Sequence, residues 1–122
     1  MVVRKSLVID STGVPAELVS GDTVNKPFEV VTANKTAVSG DRLAADVSGG
    51  TFTITLPLSP SAGDTVSIND FNREFCTTNL TVARNGSNIA GVAEDLTLDV
   101  DGITANMEYV NPSKGWKIEF SI

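Results

Sequence analysis

The chain has 122 residues, 41% of them hydrophobic, which is enough for one domain with its own core. Fifteen acidic and nine basic side chains give a formal net charge of −6, which disfavours nucleic-acid binding because the phosphate backbone is also anionic. Histidine, the commonest general base and a common metal ligand, is absent. These features argue against DNA binding, zinc sites and most hydrolase chemistry, and we expect no cofactor.

The first apolar stretch ends at Asp10 and is too short for a signal sequence or a membrane span. We therefore expect a protein that is made in a cytoplasm, stays soluble and has no membrane partner. The single cysteine, Cys76, excludes an intrachain disulfide, so packing must stabilise the fold.

Apolar residues recur with a period of two, which predicts β-strands throughout. In residues 51–56, Phe52, Ile54 and Leu56 alternate with threonines. The same alternation predicts three further strands, which contain Val66 with Ile68, Leu80 with Val82, and the closing run Trp116, Ile118, Phe120 and Ile122. Segment 69–78 is predicted to be irregular. Its two phenylalanines, Phe71 and Phe75, are expected to fill the core.

Two dipeptides predict tight hairpins, because type I′ turns need positive φ at both central residues. Asn85-Gly86 would pair Val82 with Ile89. Asp101-Gly102 would set three apolar pairs in register, Val100 with Ile103, Leu98 with Ala105 and Leu96 with Met107.

The first third is less regular, with short strands expected near residues 7–9 and 28–32. Segment 36–47 fits a strand between turns better than one helical turn. The predicted fold is all-β, a β-sandwich or jelly-roll-like domain over residues 49–122, with residues 1–48 forming a short N-terminal arm and short strands, all in one compact unit.

Candidate chemical groups each have a simpler structural interpretation. Cys76 lacks a histidine to activate it, so an inert, buried or half-buried thiol is favoured. Asp99 and Asp101 lack the remaining ligands of a calcium loop and fit a solvated hairpin turn. Glu94 and Asp95 could join a cation site if a neighbouring chain supplied ligands, but surface charge that resists edge aggregation is favoured.

Tyr109 and Trp116 flank the 111–115 loop and would suit sugar stacking if they were exposed, but Trp116 lies in the apolar phase and fits the core better. No nucleophile elbow or phosphate-binding glycine loop occurs. We therefore expect no enzymatic activity.

Two groups of motifs resemble structural proteins of tailed-bacteriophage virions. VRKSLVI at residues 3–9 with AELVSGDT at 16–23 is similar to the opening of phage fibre and other virion proteins. The second group is similar to a β-rich module of fibre ends and small virion accessory proteins. It consists of TFTITLP at 51–57, PSAGDTV at 60–66, NLTVARNGS at 79–87, AEDLTL at 93–98, Tyr109, Gly115 and Trp116.

The resemblance implies a homotrimer located in the virion, which would be assembled in the cytoplasm of a host bacterium. Residues 1–47 are too few for a fibre shaft, which favours a capsid decoration (cement) protein that binds the major capsid protein and stabilises the shell. The alternative is a short tail fibre, or a receptor-binding or adaptor subunit of the tail. A third class, a glycosidase or lyase, would need facing carboxylates in a cleft, which so short a chain does not favour.

The partner-binding residues are expected in the N-terminal segment, which would reach over neighbouring capsid subunits. Substitution of Leu7 or Val8 should weaken attachment more than folding. The candidate residues are Val3, Arg4, Leu7, Val8 and Ile9.

Overall fold

The computed structural model describes residues 26–122, which contain nine β-strands and no helix. The strands form a five-stranded sheet in the order β1-β3-β5-β8-β9 and a four-stranded sheet in the order β2-β4-β6-β7. Their bounds are Glu29–Val31 (β1), Lys35–Thr36 (β2), Asp41–Ala45 (β3), Thr53–Thr55 (β4), Thr65–Asp70 (β5), Leu80–Ala83 (β6), Leu96–Leu98 (β7), Thr104–Asn111 (β8) and Gly115–Ser121 (β9).

From β1 to β6 the chain alternates between the two sheets. Each new strand pairs in parallel with the previous strand of its own sheet. Parallel neighbours need a long crossover, and here each crossover contains a strand of the other sheet. The three last strands pair antiparallel, β7 with β6, β8 with β5, and β9 with β8.

One core cluster contains side chains from both sheets and from the connecting segments. The period-two alternation places the expected residues in it. Phe52, Ile54 and Leu56 are all buried, as predicted for one face of residues 51–56. The same prediction is confirmed for Val66 with Ile68 and for Leu80 with Val82, all fully buried.

The hairpin predicted at Asp101-Gly102 is wrong, because β7 and β8 lie in different sheets. Only Gly102 of the pair has a positive φ (75°), so a type I′ turn does not form. Apart from Val100, which is 42% exposed, the predicted partners are buried or partly buried, yet Leu98 pairs with Leu80, and Ala105 with Ile68. The 99–103 turn therefore carries the chain from one sheet to the other.

The second predicted hairpin is half right. Asn85 and Gly86 both have positive φ (53° and 91°), as a type I′ turn requires. The predicted pairing of Val82 with Ile89 is wrong, since Val82 pairs with Leu96 of β7. Ile89 instead makes isolated bridges to Val92 and to Trp116.

In the first third of the described residues, the predicted strands near 28–32 and within 36–47 are confirmed as β1 and β3. The predicted boundary near residue 48 falls between β3 and β4, and side chains from both sides of it share the core cluster. The all-β class is confirmed for residues 26–122. A jelly-roll arrangement is not confirmed, because four of the seven strand pairings are parallel.

Candidate functional site

The last strand, β9, forms one edge of the five-stranded sheet. Its alternate residues Trp116, Ile118 and Phe120 pair with Tyr109, Met107 and Ala105 of β8. Cross-strand partners share a face of the sheet, and these three β8 partners are buried. The apolar side chains of β9 therefore lie on the core face, as the sequence predicted.

Burial nevertheless decreases along β9. Trp116 is fully buried, Ile118 is partly buried, Phe120 is 52% exposed and Ile122 is 86% exposed. Together Ile118, Phe120 and Ile122 form an uncovered apolar row that we call the β9 strip. A groove of about 470 Å³ runs beside it, with Val110 among its lining residues. Contiguous exposed apolar surface of this kind is typical of an interaction site.

The free edge of β9 differs between its two ends. At its start, the backbone N–H of Trp116 donates a hydrogen bond to the carbonyl of Asn88 (2.8 Å), and the backbone carbonyl of Trp116 accepts one from Ala90 N–H (2.8 Å). Gly115 is needed there, because a Cβ at its φ of 69° would overlap the Asn88 carbonyl. Beyond Trp116, no described residue pairs with the outer edge of β9, so the strip adjoins an open row of backbone donors and acceptors.

The outer face of β9 is charged. Lys117 and Glu119 both project there, and their side chains make an exposed ion pair at 3.4 Å. Glu108 of β8, the cross-strand partner of Lys117, lies on the same face. An incoming strand at this edge would therefore meet apolar side chains on one face and mixed charge on the other.

The predicted partner-binding residues lie outside the described residues, so their positions relative to the strip are not part of the structure. They are Val3, Arg4, Leu7, Val8 and Ile9. The sequence predicted β9 as an apolar strand. The repeated apolar phase gives no sign that burial would end at Ile118.

Asp41, at the start of β3, is a buried carboxylate that the sequence analysis did not predict. It binds both Lys26 and Val38, which lie before β3 in the chain. Asp41 is 4% exposed, and it accepts hydrogen bonds from Lys26 Nζ (2.8 Å) and Val38 N–H (2.9 Å). Burial opposes ionisation, but these two hydrogen bonds and the charges of Lys26 and Lys35 outweigh it and lower the pKa of Asp41 below 3.8.

This lowered pKa predicts an acid-dependent contribution to stability. Because the folded-state pKa of Asp41 is depressed, its contribution is present above about pH 4 and is lost as the pH falls through the folded pKa. Asp41→Asn should cost about 1–2 kcal/mol at pH 7, with a smaller penalty near pH 2. Urea unfolding at both pH values measures it. Asp46→Asn is the control, since the pKa of Asp46 is lowered at the surface, chiefly by Ser48; an equal effect of both changes would contradict the prediction.

A second buried carboxylate, Asp70, extends the apolar phase of β5 and is 3% exposed. Its two oxygens accept hydrogen bonds from the backbone N–H groups of Glu74 (3.1 Å), Phe75 (3.0 Å) and Gly102 (2.9 Å). One side chain thus holds the 71–79 loop against the 99–103 turn. The alternation Val66, Ile68, Asp70 is the sequence signal that could have revealed it.

Two predictions for the 71–79 loop are wrong, those for Phe71 and Cys76. Phe75 is fully buried as expected, but Phe71 is 50% exposed and does not plug the core. The Cys76 thiol is exposed, not buried. Both changes follow from the anchoring of the loop, since Asp70 fixes Phe75 and Asp101 Oδ1 accepts a hydrogen bond from Cys76 N–H (2.8 Å).

The remaining candidates have structural positions. Tyr109 and Trp116 are buried and pack edge-to-face at 5.7 Å, so the predicted core role of Trp116 is confirmed and neither ring offers a sugar platform. The carboxylate of Asp95 accepts a hydrogen bond from Arg84 N–H (2.9 Å). Within residues 26–122, no three side chains of the metal-binding types come close enough to hold an ion.

No family model matches the chain, and no curated protein matches it. The part of the chain that the structure describes contains no helix with the length and apolarity needed to cross a membrane.

Proposed function

We propose that this chain is a structural subunit of a tailed-phage virion, a homotrimeric capsid decoration protein that binds and stabilises the shell without catalysis. In this proposal residues 1–48 supply an N-terminal arm and short strands, and residues 49–122 supply a sandwich-like body, within one compact unit. The observation that carries the proposal is the β9 strip, an apolar row beside an open strand edge, which suits permanent association with other protein chains.

The physical logic of the proposal is symmetry combined with multivalency. A trimer fits a threefold position of an icosahedral shell, where each protomer repeats the same contacts. Three weak attachments made together bind far more tightly than one, because the later contacts form at high effective concentration. The motif resemblance at residues 51–98 supplies the virion setting.

The test begins with the mass of the full chain in solution by light scattering. The same sample is then mixed with emptied capsids and, separately, with detached tails of the virus whose genome carries the coding sequence. A trimer that saturates capsids at a fixed number of copies is the expected result. A lasting monomer, or a trimer that binds neither particle, would overturn the proposal.

A substitution in the strip should separate association from folding. Phe120→Asp places a charge in the middle of the apolar row. We expect it to raise the protein concentration at which half of the trimer has dissociated by at least about 30-fold. Analytical ultracentrifugation over a concentration series measures this. The matched control is Leu58→Asp, because Leu58 is also apolar and exposed (70%) but belongs to the loop between β4 and β5 and not to β9. Equal weakening by both substitutions would contradict a specific role for the strip.

The alternative, a receptor-binding or adaptor subunit of the tail, has one observation in its favour. The 71–79 loop displays the half-exposed Phe71 while Asp70 holds its base rigid, which is the kind of preorganised loop that suits recognition. Binding to detached tails or host cells, with no binding to capsids, would select this alternative. Phe71→Ala should then reduce cell binding without changing the oligomeric state.

A further inference from the structure

We infer that residues 2–9 of one protomer dock as an added strand on the free edge of β9 in the neighbouring protomer and cover its apolar strip. This inference rests on the proposed homotrimer and deepens it, since it names the contact that joins the protomers. Strand addition supplies backbone hydrogen bonds for the open edge and apolar side chains for the strip. A head-to-tail contact of this kind closes into a ring when the rotation between copies is threefold.

The chemistry of the segment matches the edge. Residues 2–9 read VVRKSLVI, rich in strand-favouring residues. In an extended chain Val3, Lys5, Leu7 and Ile9 share one face, and three of these four side chains are apolar and suit the β9 strip. Arg4 and Ser6 share the other face with Val2 and Val8, and there they would meet Lys117 and Glu119.

Charge favours the same arrangement. Residues 1–9 contain two basic side chains and no acidic ones, whereas residues 26–122 contain seven basic and twelve acidic ones, a net charge of −5. The basic segment is therefore attracted to the folded body. Residues 10–25 contain three acidic side chains and no basic ones, so this linker is repelled by the same body. A basic segment that docks on a folded body, joined to an acidic linker that is repelled by the body of its own chain, favours a contact between two protomers.

The position of the linker also favours a neighbouring protomer. Lys26 lies three residues before the first residue of β1, which is at the opposite edge of the five-stranded sheet from β9. To reach its own β9, the linker would have to cross four strand spacings, roughly 19 Å, along an acidic body. Residues 10–25 can extend to roughly 50 Å, so either β9 edge is within reach, and the repulsion between the acidic linker and its own body favours a β9 edge beside β1 in the next protomer.

Disulfide trapping in the full chain tests the inference directly. Cys76→Ser removes the exposed thiol, and Glu119→Cys places a thiol on the outer face of β9. Arg4→Cys, Ser6→Cys and Val8→Cys, added one at a time, sample the side chains that would share this face. Thr97→Cys replaces Glu119→Cys in the matched control, because Thr97 is exposed on β7, an edge of the other sheet.

After mild oxidation, at least one arm position paired with residue 119 should give covalent dimers and trimers that reductant dissolves, while the Thr97 control should stay uncrosslinked. Crosslinks within one chain, or none at any of the three positions in a sample that is trimeric by light scattering, would overturn the inference and leave the homotrimer standing. A monomeric sample would overturn both the inference and the proposed trimer. A trimer that binds capsids but does not crosslink would overturn the inference alone and leave the proposed function standing.

Discussion

Asp70→Ala is expected to lower the free energy of unfolding by at least about 3 kcal/mol, because it leaves three backbone N–H groups without their acceptor, each costing about 1–3 kcal/mol where it is buried. The groups belong to Glu74, Phe75 and Gly102. The loss should fall first on the 71–79 loop, so its amide protons should exchange faster than those of the core strands. Urea unfolding followed by fluorescence gives the total change.

The control for this prediction is Asp64→Ala. Asp64 also accepts a hydrogen bond from a backbone N–H, that of Ser61 (2.9 Å), but it does so in a surface turn. Its loss should cost about 1 kcal/mol. If the two substitutions cost the same, Asp70 does not clamp the loop to the turn as the hydrogen bonds indicate.

Trp116→Ala should cost about 3–5 kcal/mol, the usual range for emptying a fully buried aromatic site. Trp116 is the largest fully buried side chain, it packs against Tyr109, and its Nε1 has no hydrogen-bond partner among the described residues. Trp116→Phe should therefore cost only about 1–2 kcal/mol, since it keeps a ring and gives up no hydrogen bond. Thermal and urea unfolding compare the two. An equally large loss with phenylalanine would mean that Nε1 has an acceptor.

The β9 strip also makes this edge strand prone to unwanted pairing with other chains. Natural edge strands are protected by charge, bulges or cover, and β9 has Lys117 and Glu119 on its outer face only. Its core face carries the exposed apolar residues Phe120 and Ile122 beyond the buried Trp116. In isolation such an edge favours uncontrolled pairing, which gives a physical reason for a dedicated partner strand at this place.

Several features of the fold follow from local sequence alone. The alternation in residues 51–56 predicts a strand and its buried face, since side chains of an extended chain point to opposite sides. The same holds for β5, β6 and β9. The positive φ angles at Asn85 and Gly86 also follow from residue type, because asparagine and glycine tolerate that region best.

Strand pairing could not be predicted in this way. The alternation at Leu96 and Leu98 fits a hairpin with Ala105 and Met107 as well as it fits the pairing with β6 that occurs. Asp101 and Gly102 resemble a hairpin turn, but hydrogen bonds to Cys76 and Asp70 hold them in a crossing between sheets. Those two partners are 25 and 32 residues away along the chain, respectively, beyond the reach of a pattern within one segment.

The sequence by itself determined the all-β class, the inward phase of the strands and the core position of Trp116, because these depend on residue type and on a period of two. Only the tertiary structure decided which strands are neighbours, that Asp41 and Asp70 are buried with partners, and that apolar burial ends along β9. Each depends on contacts between distant segments, and the last arises because residues 88–90 pair with β9 only at Trp116, so that the rest of this edge has no neighbour among the described residues.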